Sequence, residues 1–335
     1  MNKTPIFILS GFLGSGKTTL LAKLLAEMAS EGLRPAVVMN EVGDINLDGH
    51  LLSDGVPMRD MLSGCICCTI RGDLAVEIQQ LITESSPDVI FVEATGVANP
   101  MEILDAVSEA APMVHIDVRA MITVVDASHY LKWARRGTGR TYHLMADQIR
   151  CASIIILNKQ DLIVSSEYFE IKQSIHSLNP LATVMPAVQC EVNMEWIRQF
   201  VLQDTFKPAK GTFPKKGHGG HNHHDHDQHH NHEHHHHSYD HIMVYTHYFT
   251  KSIEEKSLER LIQELPDLVY RAKGIFTNAE NGDRILFQFA FRQLDLIKIK
   301  PQGFVQDVAI FMGEQFSKPD LQDRLAKIEE NSLLG

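Results

Sequence analysis

Several groups of residues in this chain have types and spacings that can do chemistry. GFLGSGKTT at 11–19 places Gly11, Gly14 and Gly16 ahead of Lys17 and Thr18, in the spacing GxxxxGK[ST]. Such glycines let the backbone wrap a phosphate with its amides turned inward. Lys17 is placed to reach the outer phosphates, and the Thr18 hydroxyl suits Mg²⁺. Ser15 and Thr19 complete the expected phosphate-binding set. NKQD at 158–161 supplies Asn158, Lys159 and Asp161 after an apolar run. A carboxylate there can accept the N1–H and exocyclic amine of guanine, a donor pair that adenine lacks, so GTP and GDP are expected over ATP. EATG at 93–96 offers Glu93 as a carboxylate on the Mg²⁺ side and Gly96 as an amide that senses the outermost phosphate. In NEVGDINLD (40–48), Asp44 is the candidate on a loop that closes over the nucleotide, with Asp48 as its alternative. The expected catalytic set is Lys17, Thr18, Glu93 and Asp44.

A second chemistry resides in sulfur and imidazole. GCICC at 64–68 sets Cys65, Cys67 and Cys68 within four residues. Three ionised thiols this close repel one another, and a soft cation removes that penalty. Zn²⁺ is expected first, with Glu41 or a histidine as a further ligand. The plainer alternative is a cluster of buried free thiols; the isolated Cys151 and Cys190 read as packing residues. Twelve of the nineteen histidines fall between 217 and 237. There His221, His223, His224, His226, His229, His230, His232, His234, His235, His236 and His237, interleaved with Asp225, Asp227 and Glu233, can gather around a borderline ion such as Zn²⁺, Co²⁺ or Ni²⁺. A plain disordered spacer is compatible with that role.

These sites need elements to hold them. Short apolar runs at 5–11, 36–40, 89–96, 120–127, 153–159 and 183–188 alternate with helical patterns, and Leu20, Leu21, Leu24, Leu25 and Met28 share one helical face. Alternating strand and helix predicts an α/β domain over 1–205, with a mostly parallel sheet covered by helices on both faces. Residues 206–240 read as a flexible His-rich linker. Residues 241–335 read as a smaller α+β domain, with strands near 242–250, 270–277, 284–291 and 307–313, helices at 252–265 and from about 318, and a sheet backed by those two helices.

Thirty-one basic against forty-two acidic residues give a net charge of −11, which argues against nucleic acid. No apolar run is long enough for a membrane span, and PIFILSGFLG runs into GSGKTT without a cleavage site. A cytoplasmic protein is expected.

In this order GFLGSGKTT, Asn40–Glu41, GCICC, EATG, NKQD, the His-rich segment and RAKG at 271–274 resemble the CobW-type metallochaperone GTPases. The resemblance spans nearly the whole chain, and its most specific element is GCICC between a P-loop and E-x-x-G. Members usually carry Ala where this chain has Ser15, a change that should keep the loop's shape. The resemblance implies a P-loop GTPase domain followed by a CobW-type C-terminal domain. It also implies hydrolysis of GTP to GDP, a cargo metal at the thiolate motif, and transfer to a client metalloprotein or cobalamin-pathway enzyme, with homo-oligomers possible. Slow turnover is expected because no catalytic glutamine or arginine finger is readable in the sequence. The competing expectations are a His-rich metal buffer with a regulatory nucleotide site, and a nickel-insertion GTPase serving one metalloenzyme.

Overall fold

A computed structural model describes residues 3–39, 56–60, 70–194, 242–290 and 292–331. The first part alternates strand and helix: β1 (Thr4–Ser10), α1 (Lys17–Ser30), β2 (Pro35–Met39), β3 (Met58–Asp60), α2 (Ile70–Ser85), β4 (Val89–Glu93), α3 (Pro100–Ser108), β5 (Ile116–Asp126), α4 (Ala127–Ala134), α5 (Arg140–Arg150), β6 (Ile154–Asn158), α6 (Ser165–Leu178) and β7 (Thr183–Pro186). The strands form one sheet in the order β3-β2-β4-β1-β5-β6-β7, and every neighbouring pair is parallel.

The central strands β1, β2, β4 and β6 read as unbroken apolar runs because helices cover both faces of the sheet. On one face α1 buries Leu20, Leu21, Leu24, Leu25 and Met28, the predicted set, against Phe7, Val37 and Phe91. On the other, α2 and α3 bury Leu74, Ile78, Ile103 and Val107 against Ile6, Ile8 and Val92. In such a sheet the carboxyl ends of the strands form the ligand edge. The glycine loop after β1, EATG at the end of β4 and NKQD at the end of β6 all lie there.

Two boundaries differ from the sequence reading. β5 starts at Ile116 rather than 120, because Asp117 and Arg119 alternate with buried Ile116 and Val118 and break the apolar run. β3 is a three-residue strand, Met-Arg-Asp, with no apolar pattern to announce it.

The second part holds β8 (Met243–Tyr248), α7 (Glu255–Gln263), β9 (Val269–Thr277), β10 (Arg284–Ala290), β11 (Gln293–Ile299), β12 (Val308–Gly313) and α8 (Lys318–Asn331). Its antiparallel sheet runs β11-β10-β9-β12-β8. One face is backed by the two expected helices, with Leu258, Leu261, Ile262, Leu321 and Leu325 against Phe276, Phe287 and Phe311. The other face was not anticipated to be covered. Val244, Val308, Ile310 and Met312 join a single core with Ile116, Val118, Met121, Ala106 and Ala110 of the first part. Tyr248 fastens this contact: its hydroxyl accepts from the Ile116 amide at 2.8 Å and donates to the Val114 carbonyl at 2.9 Å. The Gln306 amide donates to the Pro112 carbonyl at 2.7 Å. Among the described residues no helix is long and apolar enough to cross a membrane. The expected boundaries at 205 and 240 fall outside the described residues.

Candidate functional site

The loop from β1 to α1 is held in a shape that only glycine permits at two points. Gly11 has φ +136°, and a Cβ there would lie 2.2 Å from the Val124 carbonyl oxygen. Gly16 has φ +114°, and its Cβ would meet Asn158 Nδ2 at 2.7 Å and Cys190 Sγ at 2.8 Å. Gly16 also starts α1 without a side-chain cap, so the first amides of that helix are left to the loop concavity. This is the arrangement that binds phosphate. Lys17 is buried at the helix start, Thr18 is half-buried and Thr19 is exposed. Ser15 is buried, and its hydroxyl has no hydrogen-bond partner among the described residues.

Beside the loop, Glu93 is 1% exposed at the end of β4, and its Oε1 accepts from Thr18 Oγ1 at 2.9 Å. The two oxygens expected on the Mg²⁺ side are therefore adjacent, although 75 residues separate them in sequence. Gly96 lies against the same loop, where a Cβ would come 2.6 Å from the Leu13 amide nitrogen. Its carbonyl accepts from Gln148 Nε2 at 3.3 Å. Gln148 is buried on α5, and its own carbonyl accepts from Thr123 Oγ1 at 2.9 Å.

The NKQD residues take three different positions. Asn158 is buried and braces two loops: Nδ2 donates to the Ser15 carbonyl at 2.8 Å, and Oδ1 accepts from the Cys190 amide at 2.9 Å. Lys159, in a left-handed conformation at φ +60°, donates to the Gly14 carbonyl at 2.8 Å and pairs with Asp126 at 2.8 Å. Burial acts to raise the Asp126 carboxyl, but Lys159, the His129 amide and Ser128 outweigh it and hold its pKa below the ordinary value. Asp161 is exposed in a 3-10 turn over Gln160–Leu162, at the same strand end, and no side chain caps that turn. Neither Asn158 nor Asp161 caps a helix here.

Cys190 does more than fill space. Burial pushes its thiol up to about 11, so it stays protonated and donates to the Gly16 carbonyl at 3.3 Å. Gln189 and Cys190 both hold positive φ, and Lys23 of α1 donates to the Gln189 carbonyl at 2.8 Å and pairs with Glu191. The loop after β7 is thereby tied to both the glycine loop and NKQD. Cys190, Gln148 and Asp126 were not expected at the site. The only sequence signal for Cys190 is its place just beyond the carboxyl end of a parallel strand. Cys151, its thiol pushed up to about 12 by burial, is a packing residue as expected.

The other expected site residues lie outside the described residues: Asn40, Glu41, Asp44, Asp48, Cys65, Cys67, Cys68 and the histidines from His221 to His237. Among the described residues no group of three or more His, Cys, Asp or Glu is placed to hold a metal ion. The elements that flank the expected metal residues are described. β2 ends at Met39 in register with Glu93, and α2 begins at Ile70, two residues after Cys68 in sequence.

Residues 5–186 match the family described as CobW/HypB/UreG, nucleotide-binding domain. The chain belongs to this family. Residues 242–329 match the cobalamin synthesis protein cobW C-terminal domain, so both halves carry CobW signatures. The chain is 30% identical over 243 residues to zinc-regulated GTPase metalloprotein activator 1 of Dictyostelium discoideum, covering 62% of this chain and 50% of that protein. It is 34% identical over 155 residues to the zinc chaperone YeiR of Escherichia coli, covering 46% of each. The chain thus spans about half the length of these curated relatives. A longer match, 26% identical over 338 residues, is to zinc-regulated GTPase metalloprotein activator 1 of Schizosaccharomyces pombe, covering 91% of this chain and 80% of that one. Among solved structures, Zn(II)-bound YjiA GTPase from E. coli aligns over 98% of this chain and 99% of its own, at 19% identity and a TM-score of 0.48.

Proposed function

We propose that this CobW-family chain hydrolyses GTP to GDP and couples that reaction to delivery of a transition metal, zinc first, to a client metalloprotein. The observation that carries the reading is the Thr18 hydroxyl on the Glu93 carboxylate beside a glycine loop whose first helical amides are uncapped. Lys17, Ser15, Gly16 and Thr19 hold the phosphates, and Asn158, Lys159 and Asp161 take the guanine side. The chemistry of the donor set fits Mg²⁺: a hydroxyl and a carboxylate meet at the phosphate edge. Thr18 and Glu93 would hold that ion, which when bound neutralises charge developing on the phosphates.

Cys65, Cys67 and Cys68, with Glu41, take the cargo ion, and the histidines from His221 to His237 feed or store it. The relatives named as zinc chaperones support zinc over cobalt or nickel. The α2 helix that follows the cysteines packs on α3, which follows EATG, so the two sites share a helix pair. Asp44, on the segment between β2 and β3, closes over the nucleotide. Intrinsic turnover is slow, and the client supplies what is missing.

Phosphate release from GTP, with ATP in parallel, tests the reaction: Thr18→Ala and Glu93→Gln must each abolish it. Serine at all three of Cys65, Cys67 and Cys68, in a chain lacking 218–237, tests the cargo site. Unchanged zinc affinity in that variant defeats the cargo assignment.

A further inference from the structure

RAKG at 271–274 lies in the C-terminal domain, more than 150 residues after EATG, yet two of its side chains reach the helix that EATG leads into. The path starts at Gly96, whose carbonyl is held by Gln148. The chain then turns through Ala98, whose amide donates to the Thr95 carbonyl at 3.1 Å. It enters α3 at Asn99, whose side chain caps the Met101 amide at 2.9 Å. On α3, Asp105 is 3% exposed. Its Oδ1 lies 2.8 Å from Lys273 Nζ and its Oδ2 3.1 Å from Arg271 Nη1. Lys273 also donates to the backbone carbonyl of Asp105 at 2.9 Å and lies 3.7 Å from Glu109. Two cations from β9 thus meet one carboxylate on α3, Asp105, and one just beyond its end, Glu109.

Apolar adhesion alone does not explain this cluster. The α3 residues facing the C-terminal sheet in the shared core include Ala106, and Ala110 and Ala111 follow just beyond the helix. They share one apolar core with Val308, Ile310 and Met312, a core that also takes in Ile103 and Val107 of α3. Small side chains on this side of the helix interlock little with the C-terminal sheet. Burying charges costs more desolvation than apolar residues of similar volume would, so the cluster's distinctive contribution is geometric. Three contacts reach one residue, at both carboxylate oxygens and at its main-chain carbonyl, and they come from a strand bonded on both sides, to β10 and β12. They fix α3 in translation and in rotation.

We infer that Lys273 and Arg271 are positioning residues for the nucleotide site, pinning α3 through Asp105 and so fixing the segment from which Gly96 meets the outer phosphate. The inference rests on the reading of this site as a GTPase. It makes the C-terminal domain part of the hydrolytic apparatus rather than a passive appendage. A partner that draws on the C-terminal sheet changes turnover through the same contact.

The test uses the full chain with Lys273→Met, Lys273→Arg and the charge-balanced pair Asp105→Asn with Lys273→Met. GDP affinity, kcat and KM for GTP, and amide exchange over 94–108 are measured for each. Lys273→Met is expected to lower kcat roughly tenfold, as small misplacement at a reacting centre does. GDP affinity and KM should stay within about twofold of the parent, since a remote positioning group acts on the transition state and not on uniform binding. Exchange over 94–108 should quicken, and Lys273→Arg should recover most of the rate. The double variant removes the buried Asp105 charge together with Lys273, leaving only the part-exposed Arg271 to be solvated, and keeps the test available if the single variant folds poorly; it should regain part of the thermal stability while staying slow. Parent-like kcat in a folded Lys273→Met or double variant overturns the inference. So does loss of kcat in step with GDP affinity, which marks general damage. If the parent chain hydrolyses no GTP, the GTPase reading fails by itself. The inference is then decided by whether exchange over 94–108 responds to Lys273→Met and, in the parent, to a GTP analogue against GDP; no response to either rejects it.

Discussion

Asn158→Ala separates a bracing role for NKQD from simple base contact. The side chain satisfies two buried main-chain groups, the Ser15 carbonyl and the Cys190 amide. Truncation orphans both, at about 1–3 kcal/mol each. The vacated space can admit a water, so the lower end applies, ~2 kcal/mol in total. If the free chain relaxes its loops and nucleotide binding must realign them, the cost falls on binding. GDP affinity then drops roughly 30-fold before any contact with the base is counted. If the loops stay locked in the free chain, the cost appears as a melting shift of about 4–8 °C for a domain of this size. Cys190→Ala is the control, since it removes the thiol contact with Gly16 and keeps the amide. A weak S–H donor predicts less than about a fivefold change. Isothermal titration with GDP and thermal melts of both variants give the answer. The reasoning is refuted if Asn158→Ala leaves both affinity and melting unchanged, or if Cys190→Ala costs as much.

Asp161→Asn should weaken GDP binding by about ten- to a hundredfold, because charge-assisted bonds to N1–H and the amine are lost. It should strengthen binding of xanthosine diphosphate, whose C2 oxygen meets the new amide donor; competition titration reads both, and unaltered GDP preference contradicts the base assignment. Gly96→Ala places a methyl 2.6 Å from the Leu13 amide nitrogen, so backbone must move. Hydrolysis should fall at least roughly tenfold with GDP binding largely kept, and parent-like turnover would remove Gly96 from the mechanism. Stability should also fall on acidification, through His247 and Glu329. Burial holds the His247 imidazole below its ordinary 6.5 despite Glu329 at 3.2 Å. Burial acts to raise Glu329, but the Thr250 amide and hydroxyl together with His247 leave it below its ordinary 4.5. Each group binds its proton more weakly folded than unfolded. Stability is therefore intact near pH 7, declines as pH drops below about 6.5 for the histidine, and declines again below about 4.5 for the glutamate. Melting temperature against pH checks this, and His247→Gln should flatten the upper arm most and weaken the lower one as well, because His247 is among the groups that lower Glu329.

The glycine loop was legible because its chemistry demands glycine at fixed offsets, and the strands that carry it because burial on both faces makes them continuous apolar runs. Elements with neither property escaped. β11 alternates half-buried Leu294 and Leu296 with exposed neighbours on a sheet edge, and β3 has three residues. Glu93 was expected near Mg²⁺ from its position at a strand end; its contact with Thr18 is a side-chain pairing that the 75-residue separation in sequence does not announce. Asn158 was expected to meet the base; its buried hydrogen bonds to Ser15 and Cys190 come from loop geometry that no spacing rule encodes. RAKG carried a signal that only the fold explains: two cations inside a largely apolar strand need carboxylates opposite, and Asp105 on α3 and Glu109 just beyond it supply them.

The central claim is that nucleotide state sets metal affinity. Zinc titration of the chain lacking 218–237, in the presence of Mg²⁺ with either GDP or a non-hydrolysable GTP analogue, tests it most directly. The account predicts one remaining ion per chain, lost when Cys65, Cys67 and Cys68 are replaced by serine, with an affinity that differs at least about fivefold between the two nucleotides, the lower end of ordinary allosteric coupling. Equal affinity in both nucleotide states contradicts it and leaves a metal-binding protein whose nucleotide site serves some other end.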